Sequence, residues 1–212
     1  MKHILLLSAL LFVQVTFAQS KQNDLAIGAK AILLPVFTNS RIGGELGLRY
    51  YITDGFSIGN NYMYTNNKFT NGFGYDTDRT LIHYLGINIP LQYDVVNKEK
   101  FQLGMGIAPG LNFITLRDRN QMSEEEYYDE ETGVTTVIST PVRFNRDAYF
   151  SLTPYIDLSV KAVDIDIKSD VALYITGNAG YQFAFGNGDF TKPSDFRNYV
   201  VSLGFTIKGA LD

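Results

Sequence analysis

Residues 101–113, FQLGMGIAPGLNF, decide the fold, because apolar side chains recur there at every second position. The apolar series is Phe101, Leu103, Met105, Ile107, Pro109, Leu111 and Phe113. The series between them is small or polar: Gln102, Gly104, Gly106, Ala108, Gly110 and Asn112. An α-helix would repeat its apolar residues about every 3.6 positions, whereas a β-strand turns successive side chains to opposite faces. The stretch therefore predicts a strand with one apolar and one small, polar face.

The same alternation recurs along the chain and predicts seven further strands. They cover residues 25–34, 42–52, 56–65, 85–95, 150–161, 170–183 and 199–208. Eight antiparallel strands return both termini to the same side. Pro90, Pro109 and Pro154 each lack a ladder donor, so bulges or weak pairing are expected at these positions.

The composition of the two faces predicts which of them points outward. Ten glycines fall on the polar face, where small residues suit the crowded interior of a narrow barrel: Gly28, Gly43, Gly47, Gly59, Gly86, Gly104, Gly106, Gly110, Gly180 and Gly204. The apolar face carries almost no charge, as lipid requires, since an Arg or Lys at mid-depth costs about 2–4 kcal/mol. The predicted fold class is an all-β, eight-stranded antiparallel up-and-down transmembrane β-barrel, closed because open edges are costly in hydrocarbon. The alternative is a soluble barrel with its apolar face inward.

The connections alternate in length, as expected for short periplasmic turns and longer extracellular loops. The short ones are residues 53–55, 97–100 and 164–166, and the opposite set is 36–41, 66–79, 117–147 and 184–198. Aromatic residues near the strand ends predict two belts at the lipid–water interfaces. The periplasmic belt comprises Tyr50, Phe56, Tyr93 and Phe101, and the outer belt comprises Tyr62, Tyr64, Phe113, Phe150, Tyr181, Phe183 and Tyr199.

The first 18 residues have the pattern of a secretory signal peptide, with a charged start, an apolar run and a small residue, Ala18, at the cut. The mature barrel domain is then residues 19–212. No cysteine is present, which excludes disulfides and a lipid attached at the cleavage site. The net charge of −4, without a long basic block, argues against nucleic acid as a partner.

Six charged residues face the predicted lumen: Lys30, Glu45, Arg49, Asp94, Asp157 and Lys161. An eight-stranded barrel is only wide enough for side chains to fill it, so these charges are expected to pair within a plug. The alternative is a path for protons or small solutes, which would make the protein a small pore.

His83 is the histidine on which an enzyme hypothesis depends. A lipid-modifying hydrolase would need a nucleophile within hydrogen-bond reach of this base at the outer rim. Ser151 is near the same rim but faces inward by parity. The sequence therefore predicts a non-enzymatic protein, with no catalytic, cofactor-binding or metal-binding residues, and an interfacial His83.

The third outer loop holds an acidic cluster, which we interpret as a solvated interaction loop. Its members are Glu124, Glu125, Glu126, Asp129, Glu130 and Glu131. Carboxylates could bind Ca²⁺, but the Asp-x-Asp-x-Asp-Gly spacing is absent. Residues 134–138 have strand character and residues 131–133 can form a turn, so a projecting hairpin is expected whose edge could add a strand to a protein partner.

Two segments resemble a known family. Residues 84–93, YLGINIPLQY, resemble the YLxIPLLxKY strand of outer-membrane β-barrel proteins from Bacteroidetes, the PorT-like group. Residues 101–113 resemble the Gly-rich strand that follows it there. The resemblance implies a porin-like fold in the outer membrane of a Gram-negative bacterium, reached after Sec-dependent export and inserted by barrel-assembly machinery. It also implies an association with secretion. The outward apolar face predicts contact with outer-membrane lipid, and the outer loops predict an extracellular or envelope protein partner.

Overall fold

A computed structural model describes residues 21–37, 39–166 and 170–210, so the predicted signal peptide lies outside the described residues. The described chain consists of strands, short connections and a 3₁₀ helix at Pro193–Phe196. The strands are β1 (Asp24–Val36), β2 (Asn39–Thr53), β3 (Phe56–Phe69), β4 (Thr80–Asn88), β5 (Leu91–Asn97), β6 (Phe101–Asp129), β7 (Val134–Asp166), β8 (Val171–Phe185) and β9 (Asn198–Ala210). No helix within these residues is long and apolar enough to cross a membrane.

The strands close into a ring in which every neighbouring pair is antiparallel. β1 pairs with both β2 and β9, and the remaining strands follow one another in chain order. β4 and β5 share the place between β3 and β6, so they form one interrupted strand of the wall. The ring therefore has eight positions, which confirms the predicted up-and-down barrel. We call the end that holds Asp24 and Ala210 the terminal end, and the opposite end the hairpin end.

Two of the three prolines coincide with weak pairing, as predicted. Ile89 and Pro90 separate β4 from β5, although the register against β6 is the same on both sides of the break. The β7–β8 ladder has no pairs at residues 153 and 154. Pro109 keeps its place opposite Leu152, and its carbonyl accepts the Ile89 N–H at 2.8 Å. A proline is tolerated in a strand where its missing N–H is not needed by the ladder. The bulges lie away from the prolines, for example between Tyr51 and Thr53.

The connections differ from the prediction at two places. β7 continues to Asp166, so residues 164–166 belong to the strand and the prediction of a turn there was wrong. The connection to β8 comes after Asp166. Residues 117–147 were predicted as a loop, but most of them extend β6 and β7 as a hairpin with a turn at residues 130–133. Regular pairing continues from Met122↔Pro141 to Asp129↔Val134, which confirms the predicted projecting hairpin.

The apolar face points outward, as the alternation predicts. Ile42 and Leu203 are 79% and 63% exposed, whereas Ser57, Asn112 and Thr176 on the other face are fully buried. Both predicted aromatic belts contain exposed rings, including Tyr93 at the terminal end and Tyr199 at the hairpin end. A soluble barrel would bury its bulky apolar residues and expose the amides, so this orientation excludes the alternative.

Inward-facing glycines leave room for the side chains of their partners on neighbouring strands: Gly106 pairs with Tyr155, and Gly104 with Asp94. A Cβ on Gly106 would lie 2.8 Å from the Tyr155 ring, and one on Gly104 would lie 2.8 Å from the Asp94 carboxylate. Larger residues at these two positions would displace the side chains that fill the lumen. The inward-facing glycines therefore make room for the site described next.

Candidate functional site

The middle of the lumen holds a charge cluster contributed by β1, β2 and β7. Lys30 Nζ lies 3.4 Å from Glu45 Oε1 and 3.8 Å from Asp157 Oδ2. Arg49 Nη2 lies 3.7 Å from Asp157 Oδ1. Two cations thus face two anions in a buried space, which offsets much of the cost of removing each charge from water.

A hydrogen-bonded chain extends the cluster toward the terminal end. Gln92 accepts a hydrogen bond from Arg49 and donates one from Nε2 to Asp94 Oδ1 at 2.7 Å. The Tyr51 hydroxyl donates to the other oxygen of Asp94 at 3.2 Å. The structure therefore brings together five of the six charged residues singled out in the sequence, and Gln92 connects them.

Lys161, the sixth predicted lumen charge, lies apart from this cluster. It pairs at the terminal end with Asp164 and with Glu99, whose Oε1 is 2.9 Å from Nζ. Lys208 is buried in the lumen instead, where it donates to Gln102 Oε1 at 3.1 Å and lies 4.0 Å from the centre of the Tyr51 ring. The parity of the last strand places Lys208 on the inward face, so its position follows from the alternation of the sequence.

The half of the lumen nearer the hairpin end is filled by an apolar plug. The wall contributes fully buried side chains from β1, β4 and β6: Ile32, Leu34, Val36, Ile82, Tyr84, Ile114 and Leu116. Sequence reasoning missed this plug. Its signal is that the alternation gives way to apolar residues on both faces, as at Ile32-Leu33-Leu34.

Aromatic residues of the connections complete the plug from above. Phe196 of the 3₁₀ helix packs against Phe37 and Tyr149, with ring centres 5.6 and 5.5 Å apart. Phe73 of the β3–β4 loop lies 5.4 Å from Phe37. The loops thus fold into the barrel mouth and cover it.

Asp147 fixes the β8–β9 loop over the mouth. Its buried carboxylate accepts hydrogen bonds from the backbone N–H groups of Asp189, Phe190 and Thr191 at 2.8, 3.3 and 3.0 Å. The Thr191 hydroxyl donates to the same carboxylate at 2.6 Å. No sequence pattern marked Asp147, because its partners are brought to it only by the folded loop.

Removal of this carboxylate is expected to release the loop. In an Asp147→Ala variant, the amide protons of residues 189–191 should exchange at least about tenfold faster, because a lost hydrogen bond to a charged group weakens the folded state by about 1.5–3 kcal/mol. Hydrogen exchange of the barrel in detergent micelles measures this. An Asp195→Ala variant, which loses only the 2.9 Å bond from the Lys192 N–H, is the control in the same loop. Unchanged exchange in Asp147→Ala would contradict the anchoring role.

Little free space is left at the height of the charge cluster. The cavity at the charge cluster has a volume of about 20 Å³ and is lined by Lys30, Arg49, Tyr155, Asp157 and Thr206, among others. A single water molecule needs about 10–15 Å³. The charge cluster is therefore closely packed, whereas a larger cavity of about 380 Å³ lies at the terminal end, lined by Lys161, Tyr174 and Lys208 among others.

The two residues of the enzyme hypothesis lie on opposite faces of the wall. His83 faces outward, and its Nδ1 lies 2.6 Å from the Tyr64 hydroxyl. Ser151 is fully buried in the lumen, with its Oγ 3.5 Å from Asn88 Oδ1 and from Asn112 Oδ1. Ser151 is therefore out of reach of His83, whose hydrogen-bond partner is the Tyr64 hydroxyl.

The acidic cluster lies on the hairpin that extends β6 and β7. Glu124, Glu125 and Glu126 are exposed and pair with Ser139, Ile138 and Val137. Glu130 and Glu131 lie in the turn, and the side chain of Asp129 is outside the described part. Glu125 accepts a hydrogen bond from the Tyr127 hydroxyl at 3.1 Å, which raises the pKa of Tyr127. In the described ranges, no three His, Cys, Asp or Glu side chains come together in a way that could hold a metal ion.

The fold and the site together define a class: a small transmembrane β-barrel with an outward apolar band and a buried charge cluster in its lumen. No family model and no curated protein sequence matches the chain.

Among solved structures, the outer membrane protein OprG from Pseudomonas aeruginosa is similar, with a TM-score of 0.51, 13% identity and coverage of 92% of this chain and 100% of that one. Neisserial surface protein A gives a TM-score of 0.49 at 14% identity, covering 89% of this chain and 96% of its own. Ail of Yersinia pestis gives 0.47 at 12% identity, covering 88% and 99%. The likeness to OprG shows a shared barrel fold.

Proposed function

We propose that the protein is an integral outer-membrane protein with a closed lumen, whose projecting hairpin binds an extended segment of another protein. The observation that carries the proposal is the hairpin itself, which continues beyond the barrel as a two-stranded ribbon. β6 pairs with β4 only as far as Asp118, and β7 pairs with β8 only as far as Phe150. Each strand of the ribbon therefore has one edge without a neighbouring strand in the described chain.

The edge of β7 is suited to adding a strand. Residues 134–140, VTTVIST, carry no charge and are rich in β-branched side chains. Natural sheets usually protect an exposed edge with Lys, Pro or a bulge, because an unprotected edge pairs with other chains. In this ribbon the first proline is Pro141, at its base. An extended peptide could thus pair with seven consecutive residues through the backbone.

The charge of the hairpin favours a basic partner. Residues 120–142 contain six acidic residues and neither Lys nor Arg. A peptide added beside β7 would lie two strand spacings from the glutamates of β6, about 10 Å, which is comparable to the Debye length at physiological ionic strength. Exposed Tyr127 and Tyr128 add the aromatic contact area common in binding surfaces. The proposed partner is therefore an extended, basic protein segment.

The proposal includes the route predicted by the sequence: cleavage of the signal peptide after Ala18, Sec-dependent export, insertion by barrel-assembly machinery and residence in outer-membrane lipid. The outward apolar band supports the last step. PorT-like membership remains a prediction, and it makes secretion across the envelope the first process in which to seek the partner. The apolar plug and the close packing at the charge cluster disfavour a small pore, and the separation of His83 from Ser151 disfavours a lipid-modifying enzyme.

Two hairpin variants test the proposal against a synthetic peptide of alternating Lys and Val. In the first variant, Asn-Gly replaces residues 124–139 and leaves Ser123↔Thr140 as the last pair below a tight turn. Peptide binding to the purified barrel, measured by fluorescence anisotropy, should fall at least about tenfold, because the edge is lost. The Glu124→Gln, Glu125→Gln, Glu126→Gln variant keeps the edge, so it should bind several-fold more weakly at low salt and become similar to wild type at high salt.

The matched control peptide alternates Glu and Val, and it should bind more weakly than the Lys–Val peptide to the wild-type barrel. Protection of the amide protons of residues 134–140 on peptide binding would show that the β7 edge is used. Equal binding by the wild-type and shortened barrels would refute the proposal.

A further inference from the structure

Arginine is distributed very unevenly between the two ends of the barrel. The chain has eight arginines, and the lumen contains Arg49. The other seven lie on the hairpin half of the strands or in the connections at that end: Arg41, Arg79, Arg117, Arg119, Arg143, Arg146 and Arg197. The guanidinium group differs from the lysine ammonium in presenting a planar fork that matches the oxygens of a phosphate.

Two of these arginines, Arg117 and Arg143, lie with Lys68 in one row across the outward surface. Lys68 pairs with Leu81, Leu81 with Arg117, and Arg117 with Arg143. Paired residues of an antiparallel ladder project from the same face, so the row crosses β3, β4, β6 and β7 over about 14 Å. Four residues closer to the terminal end, Tyr64, Leu85 and Phe113 occupy the same face. The row thus borders the apolar band on the side of the hairpin.

The row places like charges opposite each other without an anion between them. Arg117 and Arg143 are direct partners in the β6–β7 ladder, and Arg146 lies on the next outward position, 4.5 Å above the Phe113 ring. Like charges directly opposite each other destabilise a sheet. Arg117 donates from Nη1 to the Pro141 carbonyl at 2.9 Å, but its buried Nε has no hydrogen-bond partner. Over the described residues, none of the salt bridges involves Arg117, Arg143 or Arg146.

A groove continues the row on its β2 side. Pairing between β2 and β3 ends at Gly44↔Tyr64, and beyond this point Arg41, Ile42, Asn66 and Lys68 line an open groove of about 540 Å³. Its lining therefore combines two exposed cations, an amide and an apolar side chain. Neither cation has an acidic partner within the part of the chain that the structure describes.

We propose that this surface, formed by Arg41, Lys68, Arg117 and Arg143, binds the phosphate groups of lipid headgroups in the outer leaflet. The proposal rests on the membrane placement given under the proposed function, because that placement brings headgroups to this height. Lipid phosphates supply the anions that the row lacks, and arginine holds them through two parallel hydrogen bonds. The apolar band below contacts the acyl chains of the same lipids. A free phosphate ion would gain the charge interaction but not this second contact.

The test compares binding of diphosphoryl lipid A and enzymatically dephosphorylated lipid A to the purified full barrel in non-ionic detergent. Native mass spectrometry should show the diphosphoryl form bound at least about tenfold more tightly. The Arg117→Gln, Arg143→Gln variant should lose most of that preference. The matched control is Lys98→Gln, Lys100→Gln, which removes the same charge from exposed residues at the terminal end and should retain wild-type binding.

Each comparison has an outcome that would overturn the inference. Equal binding by the two double variants would show that the row is not the site. Equal binding of the two lipids would show that the phosphates are not recognised. Full competition by inorganic phosphate at the concentration of the lipid would show a free-anion site in place of a headgroup site. If the wild-type barrel failed to bind the Lys–Val peptide but still preferred diphosphoryl lipid A, only the proposed hairpin function would be refuted, so the two proposals fail separately.

Discussion

Replacement of Asp157 by leucine is expected to destabilise the folded barrel by roughly 3–5 kcal/mol, the range found when one partner of a buried ion pair is removed. Asp157 is the carboxylate shared by Lys30 and Arg49, and it is 3% exposed. Without it, Arg49 loses its direct ion-pair partner, and Lys30 keeps only Glu45. Urea unfolding in detergent micelles, followed by the shift between folded and unfolded bands on an unheated gel, measures the free energy of unfolding.

The matched control for Asp157→Leu is Glu99→Leu. Glu99 also pairs with a lysine, at 2.9 Å from Lys161, but its side chain is 59% exposed. Exposed ion pairs contribute about 0–1 kcal/mol, so this change should lower the free energy of unfolding by no more than about 1 kcal/mol. A double Arg49→Met, Asp157→Leu variant should be more stable than Asp157→Leu alone, because it also removes one of the stranded cations. Similar losses in Asp157→Leu and Glu99→Leu would contradict the importance of the lumen cluster.

An arginine placed at Leu203 is expected to destabilise the membrane-inserted barrel by about 2–4 kcal/mol. Leu203 faces outward near the middle of β9, opposite Ala31 of β1 and Gly177 of β8. The cost comes from moving a charge into hydrocarbon, so it should appear in unfolding measurements made in lipid vesicles.

Met122→Arg is the control for Leu203→Arg, because Met122 is similarly exposed, at 55%, but lies on the projecting hairpin. It should change the stability by less than about 0.5 kcal/mol, as is usual for surface substitutions. If Leu203→Arg were equally harmless in vesicles, the apolar band would not lie in the bilayer. That result would contradict the membrane placement on which both proposals depend.

The sequence predicted the wall of the barrel well, because strand alternation is a local property. The series from Phe101 to Phe113 fixes both the secondary structure and the face of each residue, and the closed ring follows from the cost of open edges in lipid. Inward parity likewise brought Lys30, Glu45 and Arg49 onto one surface. The position of a residue along the barrel axis could not be predicted in the same way, since it depends on the shear between strands. Parity therefore groups Lys161 with charges from which it is separated along the barrel axis.

Residues that act through the loops were beyond sequence reasoning for a different reason. The Asp147 carboxylate is stable in the lumen because three backbone N–H groups of a distant loop are brought to it. Phe37, Phe73 and Phe196 meet only because three connections converge on one mouth. Arg117 and Arg143 became opposite partners through a register shift in the β6–β7 ladder beyond Leu116. None of these contacts has a fixed spacing along the chain.

By itself, the sequence determined that this protein is a β-barrel with an apolar exterior, because the two-residue alternation of side chains can be recognised without knowledge of distant residues. Only the tertiary structure decided that the interior is charged in the middle and apolar toward the hairpin end, that loops cover the mouth, and that cations line one rim. The physical reason is that hydrogen bonds, ion pairs and ring packing depend on distances across the barrel, and those distances are set by register and shear after the ring has closed.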